Sequence, residues 1–468
     1  PELINAILKA PVDLLWFGGI GTYVKSREES NSEVGDRAND AVRVNADQVG
    51  ARVVGEGGNL AMTQLGRIGY ARRGGRCNTD ATDNAAGVNT SDREVNLKIL
   101  LSLAINAGQL EEDNRNDLLA RLTEDVGDQV LRDQYLQTWA ISQELSSAPG
   151  GMGAYEQMMQ SLESRGRLDR AVELLPDTAE VEERRKQGAG FTRPELAVLL
   201  AYAKIDVTEQ LLSDGVVDQP AFEPVRADYF PGEAATRFAA LAQEHRLRRD
   251  LVATIIAGDL CNRMGITWAT RTSADLGVDV STVAAAYWIA RQVIDADGLW
   301  REVEAQDARI DPTLQLELKA QVDHLVDAFT RSFVRQGRTG DIAGAIAQDR
   351  PAFVELFDLV GTTRVGEQHL AIQRTATRWV DLGIEDDLAD RLARLSALTV
   401  VPGVAATARQ TDRGLTDIGV VYQLVAERLP LEQMTRSLKA YEPHGRWERW
   451  QHRGLVDDVR RLHHAAAR

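Results

Sequence analysis

Only three stretches of this chain read as β-strands, residues 12–17, 52–54 and 76–79, and all three fall before residue 80. Each is short and bounded by glycine or polar turn residues. Three strands cannot form a doubly wound parallel sheet with both faces covered. The rest of such a sheet is therefore expected from residues outside this sequence or from another chain. The numbering opens at Pro1 without a methionine, which reads as a piece of something longer.

The pattern changes at Ser91-Asp92-Arg93-Glu94, a capping-box sequence that predicts a helix starting there, with Val95, Ile99, Leu100, Leu103 and Ala104 on it and a stop at Asn106-Ala107-Gly108. From residue 111 onward, helical periodicity is almost uninterrupted. Asp311-Pro312 opens the clearest case, with Leu314, Leu318, Val322, Leu325, Phe329 and Phe333 on one face and Gln336-Gly337 at its end. Further helices are predicted over 113–145, 152–165, 193–213, 233–263, 280–294, 350–380, 384–408, 412–437 and 447–464. Breaks are predicted at 147–151, 187–190 and 230–232. Shorter helical pieces are expected in the first part, at 1–10, 32–49 and 62–73.

At 468 residues the chain exceeds one ordinary core and suggests two to four structural units. No apolar run reaches the roughly 18 residues of a membrane span, and no signal peptide opens the chain. The net charge of −16 argues against binding to a nucleic-acid backbone. That charge is unevenly placed: residues 1–108 hold 12 basic and 13 acidic side chains, so the excess acid lies in the later part. Cys77 and Cys261 have no metal-ligand spacing and suit a reducing compartment, so a cytoplasmic location is expected.

The candidate chemistry lies where strands run into glycine loops. In Gly18-Gly19-Ile20-Gly21 a dinucleotide fingerprint would need glycine at position 24, which is Val24, and Lys25 comes too early for a phosphate-binding P-loop. Asn59 follows Gly57-Gly58, and Asn84 stands in Asp83-Asn84-Ala85-Ala86-Gly87. Either carboxamide could bind a cofactor, and either could brace a turn. Ser91 explains itself as a helix cap, yet a helix N-terminus is also an anion site. Glu56, Asp80 and Asp83 are acid–base candidates only if buried beside a substrate. The first histidine is His245, which removes imidazole chemistry from the first half. His463-His464 reads as a helix end, and Trp447 and Trp450 among arginines read as packing.

Taken together, Val12-Asp13-Leu14-Leu15-Trp16-Phe17-Gly18-Gly19-Ile20-Gly21-Thr22, Val54-Gly55-Glu56-Gly57-Gly58-Asn59-Leu60, Asn78-Thr79-Asp80 and Asp83-Asn84-Ala85-Ala86-Gly87-Val88 resemble the large bacterial NAD-specific glutamate dehydrogenases. Phe191-Thr192-Arg193-Pro194-Glu195-Leu196-Ala197-Val198-Leu199-Leu200-Ala201-Tyr202 looks like that family's C-terminal region. The resemblance implies an α/β plus all-α fold. Residues 1–90 would end a Rossmann-like NAD-binding domain, 91–110 would return to the catalytic core, and 111–468 would form a C-terminal helical domain.

It also implies oxidative deamination of L-glutamate to 2-oxoglutarate and ammonium with NAD. Gly18, Gly19, Glu56, Asn59 and Asn84 would lie at the cofactor, and Ser91 would bind the substrate's side-chain carboxylate. The family's catalytic lysine, catalytic aspartate and glycine fingerprint have no counterpart here, and Lys25 does not match, so catalytic groups are expected upstream of Pro1. The expected partners are that upstream polypeptide and further copies in a homo-oligomer. Two other readings stay open: a different NAD-dependent amino-acid dehydrogenase, and a noncatalytic helical scaffold or regulatory module with a vestigial nucleotide fold.

Overall fold

The computed structural model describes residues 1–362, 367–429, 431–441 and 446–466. They are mostly helical, with four short strands: β1 (Leu14–Phe17), β2 (Val24–Lys25), β3 (Val44–Asn45) and β4 (Val53–Glu56). The chain divides into two compact units, Pro1–Arg271 and Thr272–Arg468. No helix among the described residues is long and apolar enough to cross a membrane.

In the first unit β1 and β4 pair in parallel, with Leu14 opposite Val53 and Phe17 opposite Glu56. The third predicted strand survives as a single parallel bridge between Val53 and Arg76. It stops there because Thr79 caps a turn of helix, Asp80–Asp83. β2 and β3 form a second parallel pair. One face of these strands is buried with Leu8, Phe17, Val24, Val44, Val54, Met62 and Tyr70. The alternation along β1 leaves Leu14 and Trp16 on the other side, more than half exposed at 57% and 58%.

The helix predicted to start at Ser91 starts six residues sooner and runs Ala85–Asn106. Ser91 is therefore not a cap. It sits inside the helix, where its hydroxyl donates back to the Gly87 carbonyl at 3.3 Å. The small residues Ala85, Ala86 and Gly87 carry the helix toward its start directly after the Asp80–Asp83 turn. Its buried stripe, Leu97, Leu100, Leu101 and Ala104, joins Leu118, Leu122, Phe230, Phe238 and Leu251 in one core.

The break predicted at 147–151 is also absent, since a single helix runs Thr123–Ser164. Gly150 and Gly151 each cost about 1 kcal/mol of helix propensity. Burial of Ile141, Met152, Tyr155 and Met159 on either side outweighs that cost. The Tyr155 hydroxyl, moreover, donates to Glu144 across the predicted break. The helix predicted over 233–263 is instead divided into Gly232–Arg237, Ala239–Ala242 and Arg248–Met264.

In the second unit Pro312–Arg335 is capped by Asp311 and buries all six apolar residues of its predicted face. It packs on Val280–Val293, which packs in turn on Ile342–Thr362. The helix predicted over 350–380 appears as Ile342–Thr362 and Glu367–Asp381, and residues 363–366 between them lie outside the described residues. A 3-10 segment, Leu395–Val400, interrupts the prediction over 384–408. The last prediction is met by Arg446–Ala466, but the side chains of Trp447, Trp450 and His464 lie outside the described residues.

Arg193–Leu212 lies against both Thr123–Ser164 and Arg248–Met264. Between them Lys204 donates to Gln137 at 2.9 Å. Burial pulls its ammonium down to about 8, against the opposing pull of Cys261 and Asp133. Below pH 8 both folded and unfolded chains hold this proton, so the cost of a buried charge is fully present. Between pH 8 and the ordinary value of 10.5 the folded chain sheds it first, and stability from this group rises. Lys204→Met should accordingly melt above the parent at pH 7, with the gap closing as pH rises from 8 toward 10. Melting curves across that range check this, and a gap independent of pH would contradict it.

Candidate functional site

The two glycine loops meet at the carboxyl ends of β1 and β4. The Gly57 and Gly58 amides both donate to the Phe17 carbonyl, at 2.8 and 3.1 Å. Backbone then lies on backbone: a Cβ on Gly58 would stand 2.6 Å from the Gly19 carbonyl oxygen, and one on Gly57 would stand 2.5 Å from the Trp16 ring. Those two positions need glycine for close approach. Gly19 has nothing within 4 Å of where a Cβ would point, so its outer side is open.

Beside this floor the Asn84 carboxamide donates to the Asn59 side-chain oxygen at 2.7 Å. Gly18, Gly19, Asn59 and Asn84 thus form one cluster, the first three exposed and Asn84 half-buried. Ser91 does not join it directly. It is exposed on the same helix, seven residues beyond Asn84 and so roughly 10 Å further along the axis.

Glu56 is not on this surface. It is fully buried and accepts from Arg67 through both oxygens, Nε to Oε2 at 2.6 Å and Nη2 to Oε1 at 2.9 Å, while Oε1 also accepts from the Met62 amide at 2.9 Å. Burial pushes the carboxyl above its usual range, with Arg67 opposing. The side chain is a structural anchor under the loop, engaged by Arg67 and the Met62 amide. Lys25 is likewise engaged, donating to the Ser26 and Glu29 carbonyls and to Asn45.

The two aspartates brace the loop from beneath. Asp80 accepts the Leu60 amide at 2.8 Å and pairs with Arg67 at 3.0 Å. Asp83 accepts the Glu56 amide at 3.0 Å and the Asn78 carboxamide at 2.7 Å. Burial raises the Asp83 carboxyl above its ordinary value, opposed by those hydrogen bonds. Leu60 is held at a φ of +60°, a conformation costing about 1–3 kcal/mol, which this bracing sustains.

The residue that sequence reasoning missed is Arg193. Thr192 and Glu195 form a capping box at the start of Arg193–Leu212, and Glu195 is forked by Arg184 at 2.8 and 3.0 Å. This fixes Arg193 so that its guanidinium reaches the Asn78 side-chain oxygen at 2.7 Å, Ser142 at 2.8 Å and the Thr138 carbonyl at 3.1 Å. One arginine therefore ties the loop carrying Asn84 to the Thr123–Ser164 helix. A signal was present: a cation in the first turn opposes the helix dipole, so an arginine there needs a specific reason.

Residues 188–468 match the family model for the C-terminal part of glutamate dehydrogenase. Residues 1–144 match the model for the catalytic domain of bacterial NAD-glutamate dehydrogenase. The chain belongs to this bacterial glutamate dehydrogenase family. It is 38% identical over 461 residues to the NAD-specific glutamate dehydrogenase of Halomonas elongata, covering 98% of this chain. For the enzymes of the same name from Pseudomonas aeruginosa and Mycobacterium tuberculosis, identity is 39% over 459 residues and 34% over 464 residues, again covering 98% of this chain. The chain spans 28% of the length of each of these relatives.

Removing Arg67 leaves a buried uncompensated carboxylate, so Arg67→Met should destabilise the first unit by about 3–5 kcal/mol. Urea unfolding of the variant measures this. Arg193→Lys keeps the charge but loses the fork. It should speed amide hydrogen exchange in residues 78–84 by roughly tenfold or more, given about 1.5–3 kcal/mol for a hydrogen bond to a charged group. Unchanged exchange there would show that Arg193 does not hold the loop.

Proposed function

We propose that this chain is the C-terminal portion of an enzyme that oxidatively deaminates L-glutamate to 2-oxoglutarate and ammonium with NAD. The observation that carries the reading is the Asn59–Asn84 pair, standing beside Gly18 and Gly19 at the carboxyl ends of two parallel strands. In parallel sheets ligands sit at that edge. The strands are read as the last part of a Rossmann-like domain. Leu14 and Trp16, and Leu3, Ile4 and Ile7 of the Glu2–Leu8 helix, are exposed apolar side chains that upstream polypeptide would cover.

The residues fit a dinucleotide. Gly19 leaves open space at the backbone, and the two carboxamides present a donor and an acceptor to a ribose or a nicotinamide amide. NAD, when bound, supplies the hydride acceptor. What this chain contributes is orientation: Asn59 and Asn84 hold the cofactor face, and the Glu56–Arg67 pair and Arg193 keep those two side chains in register. Proton transfer is assigned to groups elsewhere in the full enzyme, which we take to be a cytoplasmic homo-oligomer.

Ser91 is the proposed contact to the side-chain carboxylate of glutamate. In the full-length enzyme Ser91→Ala should remove one charge-assisted hydrogen bond, about 1.5–3 kcal/mol, and weaken glutamate by roughly tenfold to a hundredfold. Because Ser91 is exposed inside a helix and not a cap, its melting temperature should hardly move. Asn84→Ala should lower turnover more than glutamate affinity. Steady-state kinetics on both variants tests the assignment, and unaltered glutamate kinetics in Ser91→Ala would end the substrate role.

A further inference from the structure

The helix that carries Ser91 is not anchored by apolar packing where Ser91 stands. The buried residues of Ala85–Asn106 begin at Asn96 and continue through Leu97, Leu100, Leu101 and Ala104. Ser91 lies ahead of them, on a face it shares with the exposed side chains of Val88 and Val95. Polar contacts hold these early turns.

Residues two positions apart on a helix point about 200° from each other, so Asn89 and Arg93 both lie on the side away from Ser91. Both reach one atom. The Oδ2 oxygen of Asp133, on the Thr123–Ser164 helix, accepts from Asn89 Nδ2 at 2.8 Å and from Arg93 Nη2 at 2.7 Å. Arg93 also donates to the Gln129 side chain at 2.7 Å and to the Tyr229 carbonyl at 3.2 Å. Asp133 therefore grips the helix just before and just after Ser91, and from behind. Such a grip sets the rotation of the helix about its own axis, and that rotation aims the Ser91 hydroxyl. A side-chain oxygen roughly 4 Å from a helix axis moves about 1 Å for a rotation of about 15°. A shift of that size takes a hydrogen bond of about 2.8 Å out of range.

We propose that Asp133 is a positioning residue for glutamate: it turns Ser91 toward the substrate's side-chain carboxylate without touching the substrate itself. The inference rests on the reading of Ser91 given above. The negative charge of Asp133 faces Arg93 on the far side of the helix, where it does not oppose an incoming carboxylate.

The test is steady-state kinetics of the full-length enzyme carrying Asp133→Ala, Asp133→Asn, Ser91→Ala, or Asp133→Ala with Ser91→Ala. Asp133 is partly exposed, and without it Arg93 keeps Gln129 and the Tyr229 carbonyl, so these variants should fold. Asp133→Ala should raise KM for glutamate by about tenfold and leave kcat and KM for NAD within about twofold. Asp133→Asn retains an oxygen that can accept from both donors, and should restore most of the loss. The double variant should bind glutamate no worse than Ser91→Ala alone, because without the hydroxyl nothing is left to aim. If Ser91→Ala weakens glutamate while Asp133→Ala does not, or if the two losses multiply in the double variant, the role of Asp133 is overturned and the reading of Ser91 stands. Equal losses for glutamate and NAD in Asp133→Ala would also overturn it, as the mark of a general structural role. Unaltered glutamate kinetics in Ser91→Ala would overturn both.

Discussion

The buried pair of Glu56 and Arg67 is the interaction on which the first unit's loops depend. Both side chains are almost wholly enclosed, at 1% and 4% exposure, yet each is met by complementary partners. Glu56 takes the Met62 amide, and Arg67 reaches Asp80, which holds the Leu60 amide. Desolvating two charges is expensive, and a pair of this kind rarely adds net stability over an apolar filling. What it does add is direction. It fixes where the turn after β4 leaves the sheet, and so where Asn59 stands.

The helical region extends that bracing. Arg193 starts a helix whose first turn is locked by Thr192, Glu195 and Arg184, and its guanidinium holds Asn78 one turn ahead of Asn84. The arginine also grips Ser142 and Thr138, so the position of the Asn84 loop is referred to a long helix. The Phe191-to-Tyr202 motif therefore has a physical task within the first unit. It belongs to the region matched by the C-terminal family model, whereas the loop it supports belongs to the region matched by the catalytic model.

Much of this was legible in the sequence where a local rule decides the outcome. The Asp311 cap and the apolar face through Phe333 follow from periodicity, and β1, β4 and the glycine loops follow from apolar runs ended by glycine. At Ser91 a valid capping box lost to a helix already begun at Ala85, and at 147–151 a run of breakers lost to the packing of Tyr155 and Ile141. Burial decided the second, and burial is not written in a local window. Glu56 was legible as a motif residue but not as an enclosed one, because its partner Arg67 stands eleven positions away with nothing in the spacing to mark the pair. The partnership of Asn59 with Asn84 was visible only as two separate loops.

The central claim is that these two carboxamides present one surface to a dinucleotide. The most direct measurement is an experimental structure of the full-length enzyme with NAD bound. The account predicts ribose or nicotinamide atoms within hydrogen-bond reach, about 2.7–3.2 Å, of both Asn59 and Asn84, with Glu56 still enclosed by Arg67 beneath them. A dinucleotide bound away from the Gly18–Gly19 and Asn59 loops, or a Glu56 released to touch it, would contradict the account.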